Sequence, residues 1–408
     1  MSEERVRMEV KVIGGGLAGT EAAFQIARLG TSVTLCEMRP HKLTPAHKTA
    51  YLSELVCSNS LKSQDLQNAH GLLKEELRRL GSLVVKIADR NAIAGGKALV
   101  VDREAFSRDV TAEIESCPAI RIVREEEITV PDDTAIIATG PLTSDALAAN
   151  IAELTGSANL HFYDAISPIV DGNSIDMDSA FFASRYSEGS SDYLNCPMTK
   201  DEYDLFFDAL SQGERVEERS FEKLAYFEGC LPIEVMAGRG RETLLYGPMK
   251  PVGLRDSTGK RPFAVVQLRR EDKDGRMYNL VGFQTKLTYP SQDRVFRLIP
   301  ALRNARFLRY GSVHRNTYLN APTLLTGRLN LATREQTFFA GQITGVEGYM
   351  ESTAMGFYAG LSAAFFSRGI DLPLPPSDTA LGSLLRYIIT PRENFQPMNI
   401  NFGLFEHC

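Results

Sequence analysis

The 408-residue chain has no stretch that approaches the roughly 18 uncharged apolar residues of a membrane-spanning helix. Residues 1–10 are charged and run straight into a β-rich segment, without the apolar core of a secretory signal. The expectation is a cytoplasmic protein that stays off the membrane. Six cysteines are present (Cys36, Cys57, Cys117, Cys196, Cys230 and Cys408), but none forms a CxxC pair and no Cys/His spacing suits a zinc site. No metal is therefore expected. In a reducing compartment the cysteines are free thiols, and most should be inert core residues. There is no internal repeat and no low-complexity tract. An overall basic balance is also missing, since the formal net charge is -6.

What is present is a soluble globular composition, 43% hydrophobic and 24% charged. The length exceeds one ordinary core and implies two domains, or one domain with a large insertion. Residues 8–13 read as a strand, 17–29 as a helix and 32–37 as a second strand, the opening βαβ unit of a dinucleotide fold. Gly14, Gly16 and Gly19 between the first strand and the helix satisfy G-x-G-x-x-G. The first allows the tight turn, the second lets backbone approach a pyrophosphate, and the third lets helix and strand pack closely. Gly15, Leu17 and Ala18 complete the turn and the helix start, whose free N–H groups suit phosphate. Glu37 closes the second strand, 23 residues after Gly14, where a ribose-binding acid is expected.

Further helices are expected over 68–80, with Leu72, Leu73, Leu77 and Leu80 on one face, and over 102–116. Strands are expected over 121–130 and 134–138. From about Pro168 to Pro322 the βα alternation stops, which implies an inserted domain. It resumes with a strand at 337–340, a glycine turn and a helix over 349–367. The segment 135–140, ending in Gly140, is similar to the second short motif of the glutathione-reductase-like flavoproteins. Residues 338–342, with Gly341 and then Gln342 in place of the usual acid, are similar to their C-terminal flavin-facing segment. These likenesses favour FAD over NAD. A second GxGxxG is absent, so NAD(P)H would dock only transiently as reductant. The fold class that follows is α/β: a glutathione-reductase-like, Rossmann-type FAD-binding domain (1–168 and 323–408) with an inserted α+β domain (169–322).

Between residues 285 and 315, seven bases stand against one acid, Asp293, a local charge of +6. Residues 292–309 read as a helix, broken near Pro300, with Val295, Leu298 and Leu302 on its apolar face and the arginines outward. Arg294, Arg297, Arg303, Arg306 and Arg309 then form either a solvated helix face or a phosphate-contacting one. Their concentration on an acidic chain favours contact with a nucleic acid.

Eight stretches carry a wider resemblance: VIGGGLAGTEAA (12–23), CEMRP (36–40), TPAHKT (44–49), SELVCSNS (53–60), YFEGCLPIEVMAGRGRETL (226–244), GPMKPVGL (247–254), HRNTYLNAP (314–322) and GQITGVEGYMES (341–352). Together they resemble the folate- and FAD-dependent tRNA (uracil-54-C5) methyltransferases, the TrmFO family, almost end to end. The sister GidA-type wobble-uridine flavoproteins share the first and last stretches but are much longer, with a C-terminal helical domain. The family pattern continues past NFGLF with a basic tail, whereas this sequence reads Phe405-Glu406-His407-Cys408; an altered end would weaken tRNA binding or stability.

The resemblance implies a scheme for the chemistry. A cysteine thiolate adds to uracil C6, making C5 nucleophilic. The carbon comes from 5,10-methylenetetrahydrofolate, and reduced FAD supplies the electrons that turn methylene into methyl. Cys57 and Cys230 lie in the matching motifs. Cys230, between Glu228 and Glu234 with Arg239 and Arg241 following, is favoured as the nucleophile, and Cys57 as its assistant at the flavin; the roles are exchangeable. His314 corresponds to the histidine that stacks on the folate pterin, with His47 as the other candidate. The insertion domain would face tRNA and folate. The alternatives are a GidA-like wobble-uridine flavoprotein and a flavin-binding protein without turnover.

Overall fold

The computed structural model describes residues 9–157, 160–185, 191–216, 231–256 and 258–406. Strand β1 (Glu9–Ile13), helix α1 (Leu17–Arg28) and strand β2 (Ser32–Cys36) form the expected βαβ unit. β1 lies between β2 and the strand Ala135–Ile137, parallel to both, with Ile13 opposite Cys36 and Ile137. Arg334–Phe339 adds parallel to Ala135–Ile137, Ile120–Val123 adds parallel to β2, and a short antiparallel strand, Asn330–Leu331, closes the sheet at six strands. Because these strands are parallel and in register, the turns after β1, β2, Ala135–Ile137 and Arg334–Phe339 all emerge at one edge. Gly14, Glu37, Gly140 and Gly341 therefore meet there, at the carboxyl edge where open α/β sheets bind ligands.

Two helices cover one face of this sheet in close contact. In Tyr349–Phe366, a Cβ added at Gly356 would lie 2.2 Å from Ala18 O, and one at Gly360 would lie 2.7 Å from Ala22 O. Glycine lets this helix lie against α1 backbone to backbone, and so fixes the height at which its N-terminal Tyr349 stands over the sheet edge. The start of α1 shows a related economy. The helices Ala69–Leu80, Leu83–Arg90 and Arg103–Glu115 are capped by the side chains of Asn68, Ser82 and Asp102. α1 and Tyr349–Phe366 begin at Gly16 and Gly348 with no side-chain cap. Their first N–H groups are left for something else.

The first core gathers residues from Val10 to Ile151 and from Tyr318 to Ile400. A second core gathers residues from Val170 to Ala305 around a six-stranded antiparallel sheet, in the order Phe181–Ala183, Tyr193–Met198, Ala264–Arg270, Met277–Leu280, Ile169–Asp171, Phe307–Arg309. An antiparallel pair, Leu160–Ile166 with Ser312–Tyr318, runs between the cores.

Three local expectations are corrected. The strand near 121–130 stops at Val123, and residues 124–130 are irregular. In Ala69–Leu80, Leu73 and Leu77 are buried but Leu80 is 44% exposed, because the helix ends there at the left-handed Gly81. The basic stretch is not one helix. It is a helix (Tyr289–Phe296), a 3₁₀ turn (Pro300–Leu302) and a strand (Phe307–Arg309). Pro300 cannot donate into a continuing helix, and the second sheet captures the rest.

Candidate active site

At the carboxyl edge lies a cavity of about 1020 Å³. Gly14, Gly15, Gly16, Leu17, Ala18, Glu37, Gly140, Gly341 and Gln342 all line it. Gly19 does not. A Cβ there would sit 1.8 Å from Gly14 O, so its part is the close crossing of helix and turn behind the cavity. Gly14 itself has φ +104°, the left-handed region that favours glycine. Gly16 differs from both: an added Cβ would meet no polypeptide atom within 4 Å and would project into open space. Glu37 accepts hydrogen bonds from the backbone N–H of Gly15 at 2.8 Å and from Arg39 Nε at 2.9 Å. Burial alone would raise its carboxyl, but Arg39 beside it holds it below the usual carboxylate range. Arg39 is itself buried and also donates to Tyr51 O and Glu54.

A second cavity, of about 1070 Å³, adjoins the first; Val56, Pro141, Leu142, Gln342 and Tyr349 line both. Cys57, His314, Asn316 and Glu351 stand on its wall. The half-buried Cys57 is held from several sides. The N–H groups of Cys57 and Ser58 donate to the Tyr349 hydroxyl at 2.8 and 3.2 Å. Arg103 donates to Leu55 O and Cys57 O and is paired with the buried Glu271 at 2.6 Å. Arg269 donates to Ser58 Oγ at 2.7 Å and to Asn59 Oδ1 at 2.9 Å. Burial raises the Tyr349 hydroxyl far above the ordinary phenol range, so it remains a neutral phenol.

His314 lies on the second cavity, 3.0 Å from Ser312 Oγ, and His47 on the first, 2.6 Å from Thr44 Oγ1. Burial pushes both imidazoles down to about 4; Arg309 and Lys48 add to this at His314, and Arg39 at His47. Both are neutral at pH 7. Glu351, fully buried in the first turn of Tyr349–Phe366, has Oε1 3.2 Å from His70 Nδ1 and 3.7 Å from Lys62 Nζ. Its Oε2 is buried with no hydrogen-bond partner among the described residues. Burial alone would raise this carboxyl too, but Lys62 and His70 hold it low. The cavity wall thus carries a charged carboxylate with one oxygen unspent.

Cys230 lies outside the described residues. The chain resumes at Leu231, and Ile233 N donates at 2.7 Å to the carbonyl of Gln284, a residue on the second cavity. Cys36 is buried beside the first cavity, and burial together with Glu127 pushes its thiol up to about 12; burial alone pushes the core thiol of Cys196 higher still. Cys408 is also outside the described residues. Of the arginines, Arg294, Arg303 and Arg306 are exposed, and Arg306 pairs with Asp171. Arg297 is paired with Asp293 at 2.8 Å. Arg309 departs from the outward orientation expected. It is half-buried, and its charge is felt by His47 and His314 and lies in the field of Cys57 and Tyr349. Among the described residues no group of His, Cys, Asp or Glu could hold a metal ion, and no helix is long and apolar enough to cross a membrane.

Tyr349, Arg39, Glu351 and Arg103 were not singled out from sequence. The first three lie inside motifs noted there; nothing in the sequence points to Arg103.

The model of the family described as "Glucose inhibited division protein A" matches residues 9–371. The chain is 55% identical over 399 residues to the Methylenetetrahydrofolate--tRNA-(uracil-5-)-methyltransferase TrmFO of Syntrophus aciditrophicus (strain SB), covering 97% of this chain and 90% of that protein. It is 57% identical over 400 residues to the protein of the same name from Geobacter sulfurreducens, covering 97% and 92%. Among solved structures, Aquifex aeolicus GidA (form II crystal) superposes with a TM-score of 0.72 at 17% identity, over 96% of this chain and 69% of that one, a likeness of fold. With its glycine turn, its paired cavities and relatives above half identity along nearly its whole length, the chain belongs to the TrmFO family, within the wider glucose-inhibited division protein A group.

Proposed function

We propose that the chain is a FADH2-oxidising methylenetetrahydrofolate–tRNA-(uracil-5-)-methyltransferase that forms 5-methyluridine at position 54. The observation that carries this reading is the wall shared by the two cavities, with Tyr349 on it and Cys57 held by Tyr349 on the second-cavity side. The first cavity fits FAD on its own features: the open space over Gly16, the uncapped start of α1 and the acid at Glu37. Gly14–Ala18 would hold the pyrophosphate, Glu37 the ribose, and Gly140, Gly341 and Gln342 the flavin end. When bound, FAD supplies the two electrons that convert a methylene carbon to methyl; NAD(P)H would restore them from outside. The second cavity fits a folate. The unspent Glu351 oxygen suits the N–H edge of a pterin, and the neutral His314 ring offers a face to stack on.

The protein's own part is covalent and positional. Cys230 is the favoured nucleophile. Its thiolate bonds to uracil C6 and leaves an electron pair at C5, which bonds to the methylene carbon as the first of that carbon's two bonds to folate nitrogen breaks. The C5 proton leaves to a base, the methylene carbon would receive a hydride as its remaining bond to folate nitrogen breaks, and the thiolate is expelled from C6. Cys57, on the second cavity and pinned by Tyr349 of the shared wall, would guide the methylene or a proton. Arg294, Arg303 and Arg306 would meet tRNA phosphates. Arg309 would act closer in, as a cation beside Cys57.

The test is to incubate the protein with unmodified tRNA, labelled methylenetetrahydrofolate and NADPH, and to map the label. Label at C5 of one uridine outside the anticodon is expected. Label at a wobble base, or none, overturns the reading. Trapping by 5-fluorouracil-containing tRNA should fail in C230A and persist in C57A; the reverse exchanges the two roles.

A further inference from the structure

Beside the site, three aromatic rings form a continuous stack that reaches from the second core into solvent. Phe307 packs near the core ring of Phe296, with centroids 6.3 Å apart. Tyr310 stacks on Phe307 at 5.4 Å and 16°, and Tyr289 stacks on Tyr310 at 5.1 Å and 21°. The Arg297 guanidinium lies 5.6 Å from the Phe307 ring centre, and the Tyr310 hydroxyl donates to Asp293 at 3.2 Å. The ladder is therefore braced along its length. Its outermost ring, Tyr289, is 57% exposed.

A single exposed aromatic ring needs no explanation by itself; this one ends a braced stack that keeps its outer face aligned. The surroundings indicate its occupant. Arg294, Arg303 and Arg306 are exposed on the same basic stretch, in a segment of local charge +6 on a chain of net charge -6. Tyr310 also lies four residues before His314, a chain span of at most about 14 Å. The inner part of the ladder is therefore tied by a short span of chain to a residue of the second cavity. A uridine turned out of its stack to reach that cavity leaves neighbouring bases without partners. Aromatic faces flanked by cations are how proteins hold such unstacked bases without reading their sequence.

We propose that the outer face of Tyr289 is a stacking platform for an unpaired base of the tRNA next to the target uridine. The inference rests on the tRNA-methyltransferase reading above and adds a substrate contact to it.

The experiment measures binding of an unmodified tRNA transcript to the flavin-containing protein and to its Y289A, Y289L, Y289F and R303A variants over a range of salt. Removing one base–aromatic stack costs about 1–3 kcal/mol, or roughly 5- to 150-fold in affinity. Y289A and Y289L should weaken binding within that range, with the salt slope, flavin absorbance and melting temperature of the parent. Y289F should bind like the parent, and R303A should flatten the salt slope. Unchanged affinity in both Y289A and Y289L overturns the proposal. So does Y289F as weak as Y289A, which would assign the effect to the hydroxyl. A drop in oligomer mass in Y289A with tRNA affinity retained would make this face a contact between copies of the chain, and also overturns it. If the parent protein neither binds nor methylates tRNA, the functional reading falls. If the parent does both and the tyrosine variants match it, only the platform falls.

Discussion

Replacing Tyr349 by phenylalanine tests how Cys57 is held. The ring and its place between the cavities are kept; only the oxygen that accepts from Cys57 N and Ser58 N is removed. Each such hydrogen bond contributes about 0.5–1.5 kcal/mol net, so the segment should loosen by about 1–3 kcal/mol if water reaches the two amides. If water is shut out, two stranded donors could cost up to about 6 kcal/mol. Local opening is the quantity to read, because a two-core chain of this size need not unfold in one step. By mass spectrometry, amide exchange in the peptide spanning 55–60 should speed up by roughly 5- to 150-fold in Y349F. Exchange in α1 should be unchanged. Alkylation of Cys57 by iodoacetamide should accelerate alongside. Parent-like exchange and parent-like alkylation would show that Arg103 and Arg269 hold the loop without the tyrosine, and would refute this account of Cys57.

Two glycines of the turn should behave differently. Gly16 has φ −77° and open space beyond it, so Gly16→Ala should fold with the parent's apoprotein melting temperature yet lose its yellow flavin. Gly19→Ala drives a methyl into Gly14 O and should lower the melting temperature whether or not flavin is added. His47 and His314 titrate in the folded chain at about 4, below the ordinary 6.5, so between those values the unfolded chain binds protons that the folded chain does not. Their contribution is full above about pH 6.5 and is lost as pH falls towards 4. Urea midpoints should fall over this window less steeply in an H47N/H314N double variant, and equal slopes would remove the argument. Under native conditions, limited alkylation should label Cys57 before Cys36 and Cys196, whose burial keeps them protonated; early labelling of Cys196 would contradict its place in the second core.

The nucleotide half of the site was legible because its signals are local. A glycine triplet between a strand and an alanine-rich helix has few other readings, and the parallel register then carries Gly140 and Gly341 to the same edge. The basic segment was less legible because its residues change period partway. As a helix, 292–309 would turn Arg309 outward with the other arginines. As a strand from Phe307, side chains alternate, so Leu308 is 44% exposed while Arg309 shares the inward side of Phe307. The choice was made by pairing with Ile169–Asp171, about 140 residues earlier, which no local pattern reports. Arg103 is a similar case. On its own helix it is one more polar residue, and only the distant Glu271 and the Cys57 loop give it work.

The partition formed by Val56, Pro141, Leu142, Gln342 and Tyr349 has a thermodynamic corollary. On the reading proposed above, flavin and folate rest on opposite sides of this divider, so ordering it for one should favour the arrival of the other. Folate should be held weakly by protein stripped of flavin and more tightly once flavin is restored. By reciprocity, saturating folate must slow the escape or favour the capture of flavin by the same equilibrium factor.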